Sequence, residues 1–377
     1  MTATIGTVYD DLGVSTFINA RGTITTLGGS IMPPEVVDAM SQASRHFVHL
    51  NELHDRVGAR IAEITGAEAA FVCAGAASGL LLAGAACLTG EDGDAIAALP
   101  DIGDRPNQFV ISQVDSHYYV HQGIRVCGGE LVKVGTRKAV TRDDYAAGIN
   151  ERTAGVVYFL GSQPLQDLPD IIAVAHDRNV PVIVDAAAQL PPRSNLTDVA
   201  PKMGADLVVF SGGKGLFGPQ ASGLILGRAD LVRACTLNSN PHSGVGRGMK
   251  VGKEEIVGLW KAVEMFFEAE EADVILEWER RCHLIGDVAR EFDGLEAIYH
   301  SPYSNRFPPA CPLIEIRVES AARKSASQIL QELEAGEPAI LASGSEDSIT
   351  VGPQTLLDGE AEVVAERIRA ILSTQVH

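Results

Sequence analysis

The chain has 377 residues, 46% hydrophobic and 21% charged, an ordinary balance for a globular protein with a full core and two domains. Its 30 Lys and Arg against 49 Asp and Glu give a net charge of −19, so a nucleic-acid backbone is a poor expected partner. Six scattered cysteines (Cys73, Cys87, Cys127, Cys235, Cys282, Cys311) form no CxxC pair, which argues against a zinc site or disulfide framework and suits a reducing cytosol.

The opening residues, MTATIGTVYDDLG, lack the basic and apolar regions of a signal peptide. Residues 14–19 read as a short strand that leads into ARGTITTLGGS. Met32-Pro33-Pro34-Glu35 opens a helix, because proline suits a first turn, and Val36, Met40, Ala43 and Phe47 give it one apolar face. A second helix spans 53–65, with Gly66 as its stop. Residues 69–90 carry no charge but are too rich in alanine and glycine for a membrane span. They read instead as a strand (70–74), a small-residue turn (GAASG, 75–79) and a buried helix. That turn has two readings: an anion site built of backbone N–H groups at a helix start, or simple tight packing.

From Gln108 onward strands alternate with helices. Strands are expected at 109–111, 131–134, 154–160, 182–185 and 207–210, with a helix at 169–179 and a further strand at 224–226. This order predicts a mostly parallel sheet joined by right-handed crossovers, with ligands at the carboxyl ends of its strands. The GAASG turn, His117, Asp185 and Lys214 all fall at or just after such ends. A basic, glycine-punctuated loop follows at 243–255, then a long helical region to about 292. The remainder reads as a small α+β domain, with strands at 313–318, near 340 and at 349–351, and helices at 325–333 and 360–371. The expected division is an N-terminal segment 1–45, a large domain 46–255, a connecting helical region 256–294 and a small domain 295–377.

The chemistry concentrates in two stretches. VPVIVDAAAQ (180–189) ends a buried strand at Asp185. ADLVVFSGGKGLFGPQASG (205–223) ends another in a glycine-rich loop carrying Lys214. A desolvated lysine loses its proton near neutral pH and can form a Schiff base. An acid at one strand end and a lysine shortly after the next is the order used by pyridoxal-phosphate enzymes, where the acid keeps the pyridine nitrogen protonated. Taken alone, Asp185 reads as a helix N-cap and Lys214 as a solvated loop residue.

The chain resembles the selenocysteine synthase (L-seryl-tRNA selenium transferase)-like group of fold-type-I pyridoxal-phosphate enzymes, which includes D-glucosaminate-6-phosphate ammonia-lyase. INARGTITTLGGS (18–30), ITGAEAAFVCAGAASG (64–79), VDAAAQLPP (184–192), SGGKGLFGPQASG (211–223) and GRGMKVGKEE (246–255) carry the resemblance. It implies a mostly parallel large-domain sheet with helices on both faces and a small α+β C-terminal domain. It implies pyridoxal 5'-phosphate on Lys214, with Asp185 at the pyridinium nitrogen, Ala76, Ala77 and Ser78 at the phosphate, a hydroxyl contact from Ser211 and His117 stacked on the ring. It also implies a homodimer or larger assembly with shared sites, in which Arg247 and Lys250 serve the neighbour's site or anchor a substrate anion. Arg21 stands where the sugar-acid lyases usually carry another residue, and reads either as a substrate-carboxylate anchor or as a structural ion pair. The additional N-terminal region by which selenium transferases help hold tRNA has no counterpart here, so no nucleic-acid partner is expected.

By that resemblance the expected activity is α,β-elimination of a 2-amino-3-hydroxy acid, an amino acid or amino sugar acid, to a 2-oxo acid and ammonia. Racemisation or epimerisation, selenium-transferase-like β-replacement, aldol cleavage and transamination share the early chemistry. A non-catalytic protein that only binds the cofactor is the reading from another class. The expected location is the cytoplasm, with no membrane and no metal.

Overall fold

The computed structural model describes residues 7–302 and 310–374; the amino-terminal residues 1–6, part of the stretch weighed above for a leader, lie outside them. The chain divides into two units. The larger is built mainly from Gly28–Glu271, and the smaller combines the described residues of 7–27, 272–302 and 311–374.

The first strand, β1 (Phe17–Asn19), belongs to the smaller unit. The larger unit begins with α1 (Pro34–Ser44) and α2 (Leu50–Thr65). Gly66 ends α2 in the left-handed conformation, as its place after the last apolar residue predicts. There follow β2 (Ala69–Cys73), α3 (Ala76–Thr89), α4 (Gly93–Ala98), β3 (Gln108–Ser112), α5 (Tyr118–Val126), β4 (Glu130–Val134), α6 (Arg142–Gly148) and β5 (Thr153–Phe159). The unit continues with α7 (Leu168–His176), β6 (Val182–Asp185), α8 (Ser194–Asp198), β7 (Leu207–Ser211), β8 (Gly223–Gly227), α9 (Ala229–Asn238) and α10 (Lys253–Glu268).

Seven strands form one sheet in the order β2-β8-β7-β6-β5-β3-β4. The pairs from β7 to β4 are parallel, and β8 runs against both of its neighbours. β2 therefore points the same way as β7, and the carboxyl ends of β2, β3, β5, β6 and β7 share one edge. Because both faces are covered, these strands read as unbroken apolar runs rather than alternating ones. The alternation survives in the packing. Val156, Tyr158, Val182, Val184, Val208 and Phe210 enter one core, while Val157, Phe159, Ile183, Leu207 and Val209 enter the other with α3.

Two sequence expectations shift. The helix expected after GAASG starts at Ala76, because Gly75 alone, at φ 82°, makes the turn. The long helical region to residue 292 is two helices, α10 and α11 (Glu271–Ala289), with Ala269 extended between them.

The smaller unit holds most of α11 together with β9 (Leu295–His300), β10 (Leu313–Val318), α12 (Ala326–Glu334), β11 (Ala339–Leu341), β12 (Ser343–Gly344), β13 (Ser348–Val351) and α13 (Glu360–Ser373). Its antiparallel sheet has the order β12-β13-β10-β9, and β1 pairs in parallel with β11. Ile18 and Ala20 sit in its core beside Ile285, Ile314 and Ile368. Among the described residues no helix is long and apolar enough to cross a membrane.

The packing of α2 on β2 rests on one close approach. A Cβ added to Gly58 would collide with the carbonyl oxygen of Ala70. Gly58→Ala is expected to destabilise the fold by about 1–3 kcal/mol through overpacking. A urea unfolding midpoint equal to that of the wild type would contradict this.

Candidate active site

Asp185 closes β6, opposite Phe159 of β5 and Val209 of β7. Asp185 is only 7% exposed, and its Oδ1 accepts the Ala187 N–H at 3.0 Å. Burial pushes this carboxyl above the usual carboxylate range, and the nearby Asp115 charge adds to the push. The Ala187 N–H, His117 and Lys214 pull the other way. Lys214 is half-buried, and its amine is lowered by burial while the Asp185 charge partly restores it. Both groups have thus lost much of their water, and each is the other's electrostatic counterweight.

The loop that carries Lys214 is fixed by glycines because backbone crowds it. A Cβ on Gly213 would run into Cα of Gln220, and one on Gly215 into the carbonyl of Leu190. The Gly213 carbonyl accepts both the N–H (3.0 Å) and the hydroxyl (3.1 Å) of Ser30. The LGGS stretch therefore fastens the lysine loop from 183 residues away. Lys214's own carbonyl accepts the Phe217 N–H at 3.0 Å.

On the same sheet edge, β2 passes through Gly75 into α3, a 14-residue helix with no acidic residue in its first turn. The amides of Ala76, Ala77 and Ser78 are first-turn donors without helical acceptors, and the helix dipole adds positive potential there. Ser78 Oγ donates to the Gly75 carbonyl at 2.8 Å. Gly223 of β8 packs directly on this corner, where a Cβ would lie 2.5 Å from the Gly75 carbonyl carbon. Ser211 ends β7 half-buried, its N–H donating to Ala187 O at 3.2 Å.

His117 stands exposed at the N-cap of α5, with Nδ1 2.7 Å from Asp115 Oδ1. Asp115 is buried, and its second oxygen accepts the Ser162 hydroxyl at 2.7 Å. Asp115, Ser162 and Ser30 escape the sequence reading as site residues. Only Asp115 left a signal there, the Asp-x-His spacing. Lys214 and His117 both lie close enough to Asp185 to act on its carboxyl. Arg21 lies exposed in the smaller unit, its N–H donating to Asn19 Oδ1 at 3.0 Å. Arg247 and Lys250 are exposed in the loop after α9, and Arg247 donates to Asn240 Oδ1 at 2.9 Å.

These residues fit a flat, phosphate-bearing aldehyde with a basic ring nitrogen. A buried carboxylate faces the amine of a half-buried lysine, and a helix N-terminus offers first-turn amides on the same sheet edge.

The comparisons with known proteins agree with this chemistry. The SelA, or L-seryl-tRNA selenium transferase, family model matches residues 17–277. The chain is 33% identical to a 5'-C-glycyluridine monooxygenase-decarboxylase of Streptomyces sp, over 97% of this chain and 92% of that protein. It is 31% identical to the D-glucosaminate-6-phosphate ammonia lyase of Salmonella typhimurium, over 97% of each chain. A solved D-glucosaminate-6-phosphate ammonia-lyase superposes with a TM-score of 0.83 at 30% identity, covering 98% of this chain and 99% of the other. A serine palmitoyltransferase from S. paucimobilis, solved with bound pyridoxal phosphate, shares the fold at TM-score 0.60 and 13% identity, over 94% of this chain and 87% of that one. The cofactor is pyridoxal 5'-phosphate, and the chain belongs to the SelA, L-seryl-tRNA selenium transferase, family of fold-type-I enzymes.

Proposed function

We propose that the protein is an ammonia-lyase acting on a 2-amino-3-hydroxy acid, an amino acid or an amino sugar acid. The observation that carries this reading is the pair Lys214 and Asp185, both stripped of water at the ends of adjacent elements on one sheet edge. The relatives add support. Seryl, glucosaminate and glycyluridine groups are all 2-amino acids with a hydroxyl on the neighbouring carbon.

On this reading Lys214 holds the cofactor covalently, Asp185 takes the charge of its ring nitrogen, and the amides of Ala76, Ala77 and Ser78 hold its phosphate. Ser211 adds a hydroxyl, and His117 lies over the ring. Bound pyridoxal phosphate supplies an electron sink for the pair left on the substrate's Cα. Once the substrate's own amine has replaced it, Lys214 Nζ, its proton affinity lowered by burial, is the group that would take the Cα proton. The Cβ–O bond would then break, the proton taken up by Lys214 leaving with the hydroxyl as water, and protonation at Cβ with addition of water at Cα would release ammonia and a 2-oxo acid. Arg21, Arg247 and Lys250 are the anion anchors, acting on the substrate or across a homodimer interface. The proposed location is the cytoplasm.

The similarity to the monooxygenase-decarboxylase supports a second reading, loss of the carboxylate rather than of the hydroxyl. Incubation with serine-like and sugar-derived 2-amino-3-hydroxy acids separates the two. Ammonia with an equal amount of 2-oxo acid is expected. Carbon dioxide release with oxygen uptake favours the second reading, and racemised substrate without ammonia overturns both.

Lys214→Ala is expected to lose the cofactor's visible absorbance and all turnover while its circular dichroism stays native. Asp185→Asn is expected to bind cofactor but to turn over about 10²–10⁴-fold more slowly; near-normal rates would contradict the role of Asp185. Capture of pyridoxal phosphate by cofactor-free protein rises with pH as Lys214 deprotonates. Because burial lowers that amine, the midpoint is expected below the ordinary lysine value of 10.5. Asp185→Asn removes the charge that raises it, so the midpoint moves lower still; a shift to higher pH would refute the pairing.

A further inference from the structure

Asp115 is buried although it lies two residues from the exposed His117. One of its oxygens, Oδ1, takes two contacts from that single residue: the His117 backbone N–H at 2.7 Å and the ring Nδ1 at 2.7 Å. The backbone contact alone is an ordinary Asx turn at the start of α5. The ring contact is not needed for that turn, and neither is the hydroxyl that Ser162 brings to Oδ2 from 47 residues away.

A carboxylate accepts hydrogen bonds and donates none, so a 2.7 Å contact places a proton on His117 Nδ1 whether or not the ring carries its second proton. In the neutral ring Nε2 is then the bare nitrogen. The far side of the clamp is equally fixed. Ser162 sits in a turn after β5 in which the Gln163 N–H donates to Phe159 O at 2.8 Å. Gln163 Oε1 accepts the hydroxyl of the fully buried Tyr145 at 3.1 Å and the N–H of Phe159 at 3.1 Å. A chain of contacts thus runs from the sheet core through Gln163, Ser162 and Asp115 to one imidazole.

We propose that Asp115, held by Ser162, is a positioning residue that confines His117 to its Nδ1–H tautomer and fixes the orientation of its ring. This rests on the reading in which His117 lies over the cofactor. The arrangement is that of a carboxylate orienting a functional histidine, where loss of the carboxylate typically costs about 10–100-fold in function. Asp115 also lies near enough to Asp185 to raise its carboxyl through charge.

Long-range 1H–15N correlation on 15N-histidine-labelled protein reads the tautomer directly, with His117→Gln assigning the signal. At about pH 8 the neutral wild-type ring is expected as Nδ1–H. Asp115→Ala is expected to move it to Nε2–H and to lower kcat about 10–100-fold, with KM changed less than kcat. Asp115→Asn keeps an acceptor oxygen and is expected to restore the Nδ1–H form and part of kcat. If Asp115→Ala does not fold, Ser162→Ala removes only the Oδ2 contact and is expected to lower kcat severalfold. An Nε2–H wild-type ring, or an Asp115→Ala protein with unchanged tautomer and kcat, overturns the proposal. The tautomer is read without turnover, so failure of the ammonia-lyase reading leaves this test intact.

Discussion

The site depends on denying water to two opposite charges. Asp185 is buried at a strand end and Lys214 is half-buried in the next loop, and desolvation is the largest influence on both. In a low-dielectric setting each group favours its neutral form unless a partner compensates. On the reading proposed above, this is what suits the amine to serve as nucleophile and base and the carboxylate to stabilise a cation. A more solvated lysine would stay protonated, and a more solvated aspartate would exert a weaker pull on the ring nitrogen.

That setting is purchased by backbone crowding. Gly213 and Gly215 flank Lys214 because Gln220 and Leu190 leave no room for a Cβ. Ser30 ties the same loop to the start of the larger unit through two contacts on one carbonyl. Gly223 lets β8 press against Gly75, which holds the first turn of α3 beside the lysine-bearing strand pair. β8 runs against its neighbours, and the return it makes between β7 and β2 brings the lysine loop and the α3 corner to the same edge.

Much of this was legible in the sequence for a physical reason. Strands buried on both faces are short apolar runs, so β6 and β7 and their carboxyl ends at Asp185 and Ser211 stand out against their surroundings. Gly66 and Pro34 mark helix ends by backbone geometry that other residues rarely adopt. Other elements escaped: α5 follows a run of polar residues, α9 is separated from β8 by a single residue, and the break at Ala269 carries neither glycine nor proline. Ser162 and Ser30 were illegible for another reason. Their partners lie 47 and 183 residues away, and a serine at a loop says nothing of what it will meet.

The relatives place a transferase, a lyase and a monooxygenase-decarboxylase on this one framework. On the reading proposed above, Lys214 and Asp185 alone do not choose among such outcomes, since a base and an electron sink serve them all. The choice falls to whatever fixes the substrate's carboxylate and side chain, because the bond that breaks at Cα must be aligned with the ring's electron system. On the reading proposed above, that task belongs to Arg21, Arg247 and Lys250, cations scattered over loops rather than strand ends. Loops vary more freely than the strands beneath them. On that reading the proton chemistry sits on the buried sheet edge, and the choice of which bond breaks sits in the exposed loops around it.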